Sequence, residues 1–273
     1  ETTKNFGPWR QKVTLIADDP ARPEPNHGGI ATGKSHTINS ETLSSIIPSI
    51  IDIEKIYMLE YPEVNDASAY GVKKPAATEA LFSSIRNGTA IINYIGHGSA
   101  FQLAQEKLLY LNRGDLENIK TDGRLPLWIV GTCSFGHFDD PLAESFGEEL
   151  IRYPMDAACA VISTCRPITV TGNERYTQDI FENIFTMEGV SNLPIGVCLQ
   201  SIKNGSTESE YFHLFGDPAL NIPMAKNRFN STNIEPETLK TLSIAEIMFN
   251  QDIVSSDNRG VILLKDAERN VTR

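Results

Sequence analysis

Short apolar runs punctuate this chain, and each closes on a turn. Residues 11–17 (QKVTLIA), 54–59 (EKIYML), 90–95 (AIINYI), 125–131 (LPLWIVG) and 157–164 (AACAVIST) are continuous rather than alternating. Each is bounded by Asp, Pro, Gly or a comparable turn residue. Continuous hydrophobicity of this length predicts strands buried on both faces, as in parallel sheets. Helical spacing falls between them. One helix is predicted over 40–51, interrupted at Pro48, and a second over 75–87, stopped by Asn87-Gly88. A short one falls at 113–119, and another spans 140–152, opened by Asp140 as the cap and Pro141 behind it. Two more cover 174–186 and 194–204, and 212–222 (FHLFGDPALNI) closes the series. Strands alternating with helices predict an α/β fold, a mostly parallel sheet flanked by helices.

From Asn227 the texture changes. Asn, Ser, Thr and Pro dominate to Glu237, and 241–249 and 260–265 then alternate like exposed strands. The chain therefore divides into an α/β domain over 1–226 and, over 227–273, a linker with the start of an all-β, sandwich-like module. It opens on Glu1 and stops at Arg273 in mid-pattern, so it reads as a piece of a larger protein.

Composition narrows the function classes. A formal net charge of −11 lacks the basic surface that nucleic acid requires. No run approaches the roughly 20 apolar residues of a membrane helix. The four cysteines (Cys133, Cys159, Cys165, Cys198) show no CxxC spacing and the five histidines no HExxH pair, which removes zinc-finger, thioredoxin-type and zincin readings.

The candidate chemistry lies where two apolar runs end. One leads to Gly96-His97-Gly98, the other to Gly131-Thr132-Cys133. In open parallel sheets ligands sit beyond the carboxyl ends of the strands, so neighbouring strands would bring an imidazole and a thiol to one mouth. A positioned histidine shifts a thiol toward the nucleophilic thiolate. Taken singly, Cys133 reads equally as a buried strand-end thiol and His97 as a turn histidine. Together, on matched strand ends, they favour catalysis. The Gly98 and Cys133 backbone N–H groups are the natural donors to a developing oxyanion, since glycine beside His97 leaves room for close approach.

A third group would orient the imidazole. Asp18 and Asp19, at the end of the first strand, lie at the same mouth, with a turn or cap as their bland alternative; Glu60 is a weaker candidate. The helix start accounts for Asp140, and Asp217 in Gly216-Asp217-Pro218 reads as structural. His137 and Cys165 are the candidates for lining a substrate pocket.

At these residues the chain resembles the gingipain family, peptidase family C25 of the caspase-like clan. The likeness is carried by Asn93-Tyr94-Ile95-Gly96-His97-Gly98-Ser99, by Leu125-Pro126-Leu127 leading to Cys133, and by Phe215-Gly216-Asp217-Pro218-Ala219-Leu220. It runs from about Trp9 to Pro223. The run from Thr132 to Leu142 (TCSFGHFDDPL) and the run VTLIADD at 13–19 look more like the branch of type IX secretion sortases (PorU-type), which remove C-terminal signals of cargo proteins and attach them to the cell surface.

The resemblance implies a Cys133 nucleophile, His97 as its acid/base partner, an oxyanion hole at the Gly98 and Cys133 amides, and Asp19 as the acid supporting the histidine. It implies protein substrates, secretion-system partners and an extracellular or outer-membrane surface location in a bacterium. No cofactor is required, and calcium occurs in related proteins. The segment Gly33-Lys34-Ser35-His36-Thr37 lacks the acid of an Arg-specific pocket, and no tryptophan stands near Thr169, so trypsin-like specificity is not expected. Two alternatives stand beside this reading. One is an inactive scaffold or binding domain of the same fold. The other is a glutaminase-type amidotransferase, whose only distant histidine would be His213, followed by Leu214-Phe215 instead of a carboxylate.

Overall fold

A computed structural model describes residues 7–19, 34–66, 71–153, 157–186, 189–191, 193–225, 245–249 and 262–266. The chain forms two compact units, Glu1–Asn227 and Arg228–Arg273. The first is built on a six-stranded sheet. Its strands in chain order are β1 (Lys12–Ala17), β2 (Asp52–Tyr57), β3 (Ile91–Ile95), β4 (Leu127–Gly131), β5 (Ala160–Thr164) and β6 (Phe212–Phe215). The spatial order is β6-β5-β4-β3-β1-β2. All neighbours are parallel except the edge strand β6, which runs antiparallel to β5.

Alternate residues of each strand feed separate cores, because successive side chains point to opposite faces. Val13, Leu15, Ile91, Leu127, Ile129 and Ile162 pack on one face with α1 (Lys34–Ile46), α4 (Val170–Ile184) and α5 (Ile195–Gln200). Ile16, Ile92, Tyr94, Trp128, Val130 and Val161 pack on the other with α2 (Pro75–Asn87) and α3 (Phe146–Arg152). Burial on both faces explains the unbroken apolar runs. The mostly parallel helix-covered sheet is thus the expected fold class. Among the described residues, no helix is long and apolar enough to cross a membrane.

Local signals set the helix ends. Pro75 starts α2, and Gly88 (φ 91) closes it with its N–H donated to the Ser84 and Ile85 carbonyls. The helix expected from Asp140 begins instead at Phe146. Ser145 and Glu148 form a reciprocal capping box there, satisfying two backbone donors, whereas Asp140 only accepts from the Leu142 N–H in a local turn. The helix expected over 40–51 lies earlier, at Lys34–Ile46, so Pro48 follows its end rather than interrupting it. The helix expected from Glu174 starts at Val170, because Thr169 caps it by accepting from the Gly172 N–H at 3.0 Å. The short helix at 113–119 is two 3₁₀ turns, Leu111–Arg113 and Leu116–Asn118.

In the second unit, β7 (Ala245–Phe249) and β8 (Ile262–Asp266) pair antiparallel. The linker expected at 227–237 and the loop at 20–33 lie outside the described residues.

Candidate active site

The register of three adjacent strands assembles the site. Ala17 pairs with Ile95, and Ile95 with Gly131, so β1, β3 and β4 end on one row. Asp18 stands one residue beyond that row, and His97 and Cys133 each stand two beyond it. The Asp18 N–H still reaches the Ile95 carbonyl at 3.0 Å, and the Gly96 N–H the Gly131 carbonyl at 3.2 Å, so the ladder continues into the turns that carry Asp18 and His97.

Asp18 holds His97 at two points. Its Oδ2 accepts from the His97 backbone N–H at 2.8 Å and lies 2.9 Å from Nδ1 of the ring. Its Oδ1 accepts from the Asp19 N–H at 3.0 Å. Asp18 is 1% exposed, and these donors compensate the burial of its carboxylate. With Nδ1–H donated to Asp18, Nε2 is left to act as a base. The Asp18 hydrogen bond is the main reason the imidazole pKa is raised above its ordinary value, with burial working against it. The Tyr94 hydroxyl donates to the His97 carbonyl at 2.6 Å, and the Ala104 N–H donates to the same oxygen at 2.9 Å, which clamps the turn. Gly96 is required by packing, since a Cβ there would lie 2.2 Å from the Asp18 Cβ.

This geometry corrects the expectation for Asp19. Its side chain turns away from the imidazole and pairs with buried Lys74, whose ammonium also donates to the Met58 carbonyl at 2.7 Å. Neighbouring strand-end residues point to opposite sides, and the cation on α2's side claims Asp19 while the histidine takes Asp18. Glu106 lies in the same cluster, its carboxyl pKa raised first by burial and then by Asp19. Calcium takes about six to eight oxygen ligands. Asp18 is engaged by His97 and Asp19 by an ammonium, so this acidic cluster does not fit it.

Cys133 sits in a turn kept in shape by its neighbours. Ser134 adopts φ 57, a conformation that costs a non-glycine residue energy and is held by its surroundings. Its N–H donates to Thr164 Oγ1 at 3.2 Å and to the Arg166 carbonyl at 3.3 Å. The Cys133 thiol lies 3.8 Å from the Ile168 carbonyl. Asn173 of α4 donates through Nδ2 to the Gly131 carbonyl at 2.6 Å, tying the helix to the end of β4.

His97 and Cys133 face one cavity of about 250 Å³, bounded also by Gly98, by 168–170 and Asn173 at the start of α4, and by His36 of α1. Gly98 lines it, but its missing Cβ accommodates Thr132 and the Gln102 carbonyl, so packing requires the glycine independently of any ligand. His137 and Cys165, the expected pocket residues, are not in its lining. His137 turns toward Asp139, with Nε2 3.4 Å from Oδ1. Cys165 follows β5, one strand further on, where its thiol is buried and its pKa raised by that burial. His213, the histidine an amidotransferase reading needs, packs its ring on Phe138 at 4.9 Å and also lies outside the lining.

The residues not foreseen as site members are His36 and Asn173. His36 is 2% exposed. Its ring meets that of His97 edge to face at 5.1 Å, and burial lowers its pKa to about 4. Nothing local marks it, because α1 is far from both strand ends in sequence. Asn173 has a faint signal, a polar residue in the first turn after the Thr169 cap.

The sequence pattern of peptidase family C25 matches residues 1–223. No curated protein sequence matches the chain. Among solved structures, the fold is similar to the Arg-specific cysteine proteinase gingipain R (RgpB), with TM-score 0.56 and 17% identity over 78% of this chain and 48% of that one. It is also similar to the complex of the pro- and mature domains of RgpB from Porphyromonas gingivalis, with TM-score 0.52 and 17% identity over 78% of this chain and 49% of that one. The chain thus spans about half the length of these gingipain structures.

Proposed function

The chain belongs to peptidase family C25, and on that premise we propose that it is a cysteine peptidase acting through Cys133, His97 and Asp18. The observation that carries this is the common row Ala17–Ile95–Gly131, beyond which the three side chains stand, with His97 and Cys133 on one cavity. Nε2 of His97 takes the Cys133 proton as sulfur attacks the scissile carbonyl. The carbonyl oxygen becomes an oxyanion, with the Gly98 and Cys133 N–H groups as its donors. Collapse of the tetrahedral species breaks the C–N bond, and the imidazolium returns its proton to the leaving amine. A thioester remains on Cys133. Water or an amine then attacks it, giving hydrolysis or transfer and restoring the thiol. Asp18 keeps the ring in the required tautomer.

The substrate is a protein segment. Ile168, Thr169, Val170 and Asn173 form a neutral wall beside Cys133, which suits an uncharged side chain next to the scissile bond rather than arginine. The runs at 13–19 and 132–142 support the finer reading, a sortase of type IX secretion. Such an enzyme would release C-terminal signals from cargo at the bacterial surface, beside other secretion components. Iodoacetamide labelling followed by intact mass tests the dyad. Fast labelling of one site that slows in His97→Ala and vanishes in Cys133→Ala supports the reading; labelling indifferent to His97→Ala overturns it. Cleavage of cargo peptides with and without an amine acceptor then separates transfer from hydrolysis.

A further inference from the structure

His36 is chemically out of place. It is 2% exposed, and neither ring nitrogen has a hydrogen-bond partner among the described residues. A buried polar group without a partner is costly and calls for an explanation. One nitrogen of a neutral imidazole offers a lone pair, and here that ring rests against His97 at 5.1 Å. One donor atom each of Asp18, His36 and His97 lies within 4.8 Å of the other two.

We propose that Asp18, His36 and His97 form a site for a divalent transition-metal ion, zinc in the first instance, which takes the His97 imidazole out of catalysis when bound. Two imidazoles and a carboxylate are a donor set that suits zinc, and three protein ligands with one open position are a common zinc arrangement. Zinc sets its N and O ligands about 2.0–2.2 Å away, so donors within 4.8 Å of one another close around it by side-chain adjustment. His36 and His97 both line the cavity, which leaves room for water to complete the shell. Local charge still favours a cation: Asp19 and Glu106 cluster with Asp18, and the Lys74 ammonium paired with Asp19 offsets one of these three carboxyl groups. Because Asp18 Oδ2 lies 2.9 Å from Nδ1, the metal replaces that hydrogen bond: Nδ1 gives it the lone pair, the ring proton moves to Nε2, and Nε2 no longer accepts the Cys133 proton. The inhibitory consequence rests on the peptidase reading above; metal binding does not.

Calorimetric titration of zinc chloride into the full chain tests the site without reference to activity. We expect one ion per chain in the wild type and in Cys133→Ala. Binding weakens at least about 10-fold, as for disturbed metal shells, in His36→Phe and in His97→Ala, each verified as folded by circular dichroism. Absence of zinc binding in the wild type, or an unchanged Kd in either folded variant, overturns the proposal. Loss of binding in Cys133→Ala overturns it too, since the thiol would then be the ligand. Peptide cleavage inhibited by zinc at the same concentration, and relieved by a chelator, supports the inhibitory role. An unaffected rate at full occupancy removes that role even where the site binds metal.

Discussion

Asp18 grips His97 by both backbone and ring, accepting from the N–H at 2.8 Å and lying 2.9 Å from Nδ1. The double contact fixes where the imidazole stands and which nitrogen stays free. Asp18→Asn keeps the shape but can present an amide N–H to Nδ1, favouring the wrong tautomer. We expect kcat to fall by about 10⁴, as for the same change in other triads. Asp19→Asn instead weakens the pairing with buried Lys74, at a cost of about 3–5 kcal/mol for a buried charge left uncompensated. Its effect reads out in chemical denaturation more than in kcat. Equal kinetic losses in the two variants would refute the assignment.

Gly96→Ala puts a methyl group 2.2 Å from the Asp18 Cβ and 2.7 Å from the Tyr94 hydroxyl. Both are buried and bonded to the His97 turn, so the turn must shift. Activity and the rate of Cys133 alkylation are expected to fall together, and a variant with wild-type alkylation would show that the turn tolerates the methyl.

His36 predicts an acid-limb dependence of stability. Its pKa is about 4 folded against 6.5 as reference, so between those values the unfolded chain binds more protons and stability falls as pH falls. The difference corresponds to about 3 kcal/mol at full effect. His97 acts in the opposite sense. Its raised pKa contributes stability that is present below the reference value and lost as pH climbs through the folded one. His36→Phe should therefore flatten the decline of Tm from pH 6.5 to 4 while leaving the His97 limb in place. An unchanged acid slope would mean that other groups govern it.

Ser145→Ala removes a capping box that lies outside the cavity lining. A loss of about 1 kcal/mol in unfolding free energy, with alkylation of Cys133 unchanged, is expected. A larger loss would make α3 part of the site's support.

The local pattern carried much of the architecture. Strands β1, β3, β4 and β5 are visible as unbroken apolar runs because both sheet faces are covered, and α2 matches its Pro75 and Gly88 signals at both ends. His97 and Cys133 were legible because each closes such a run beside glycine. The choice between Asp18 and Asp19 was not, since adjacent strand-end residues look alike until Lys74 claims one and the His97 ring the other. Nor was His36, whose meaning arises only when α1 packs on the sheet and lays one imidazole against another. Periodicity and turn chemistry are properties of neighbouring residues, so sequence alone determined the central strands, the presence of most helices and the two strand-end side chains, His97 and Cys133, that line one cavity. Which acid orients the histidine, and which ring stands beside it, depended on partners distant in the chain, and only the tertiary structure decided them.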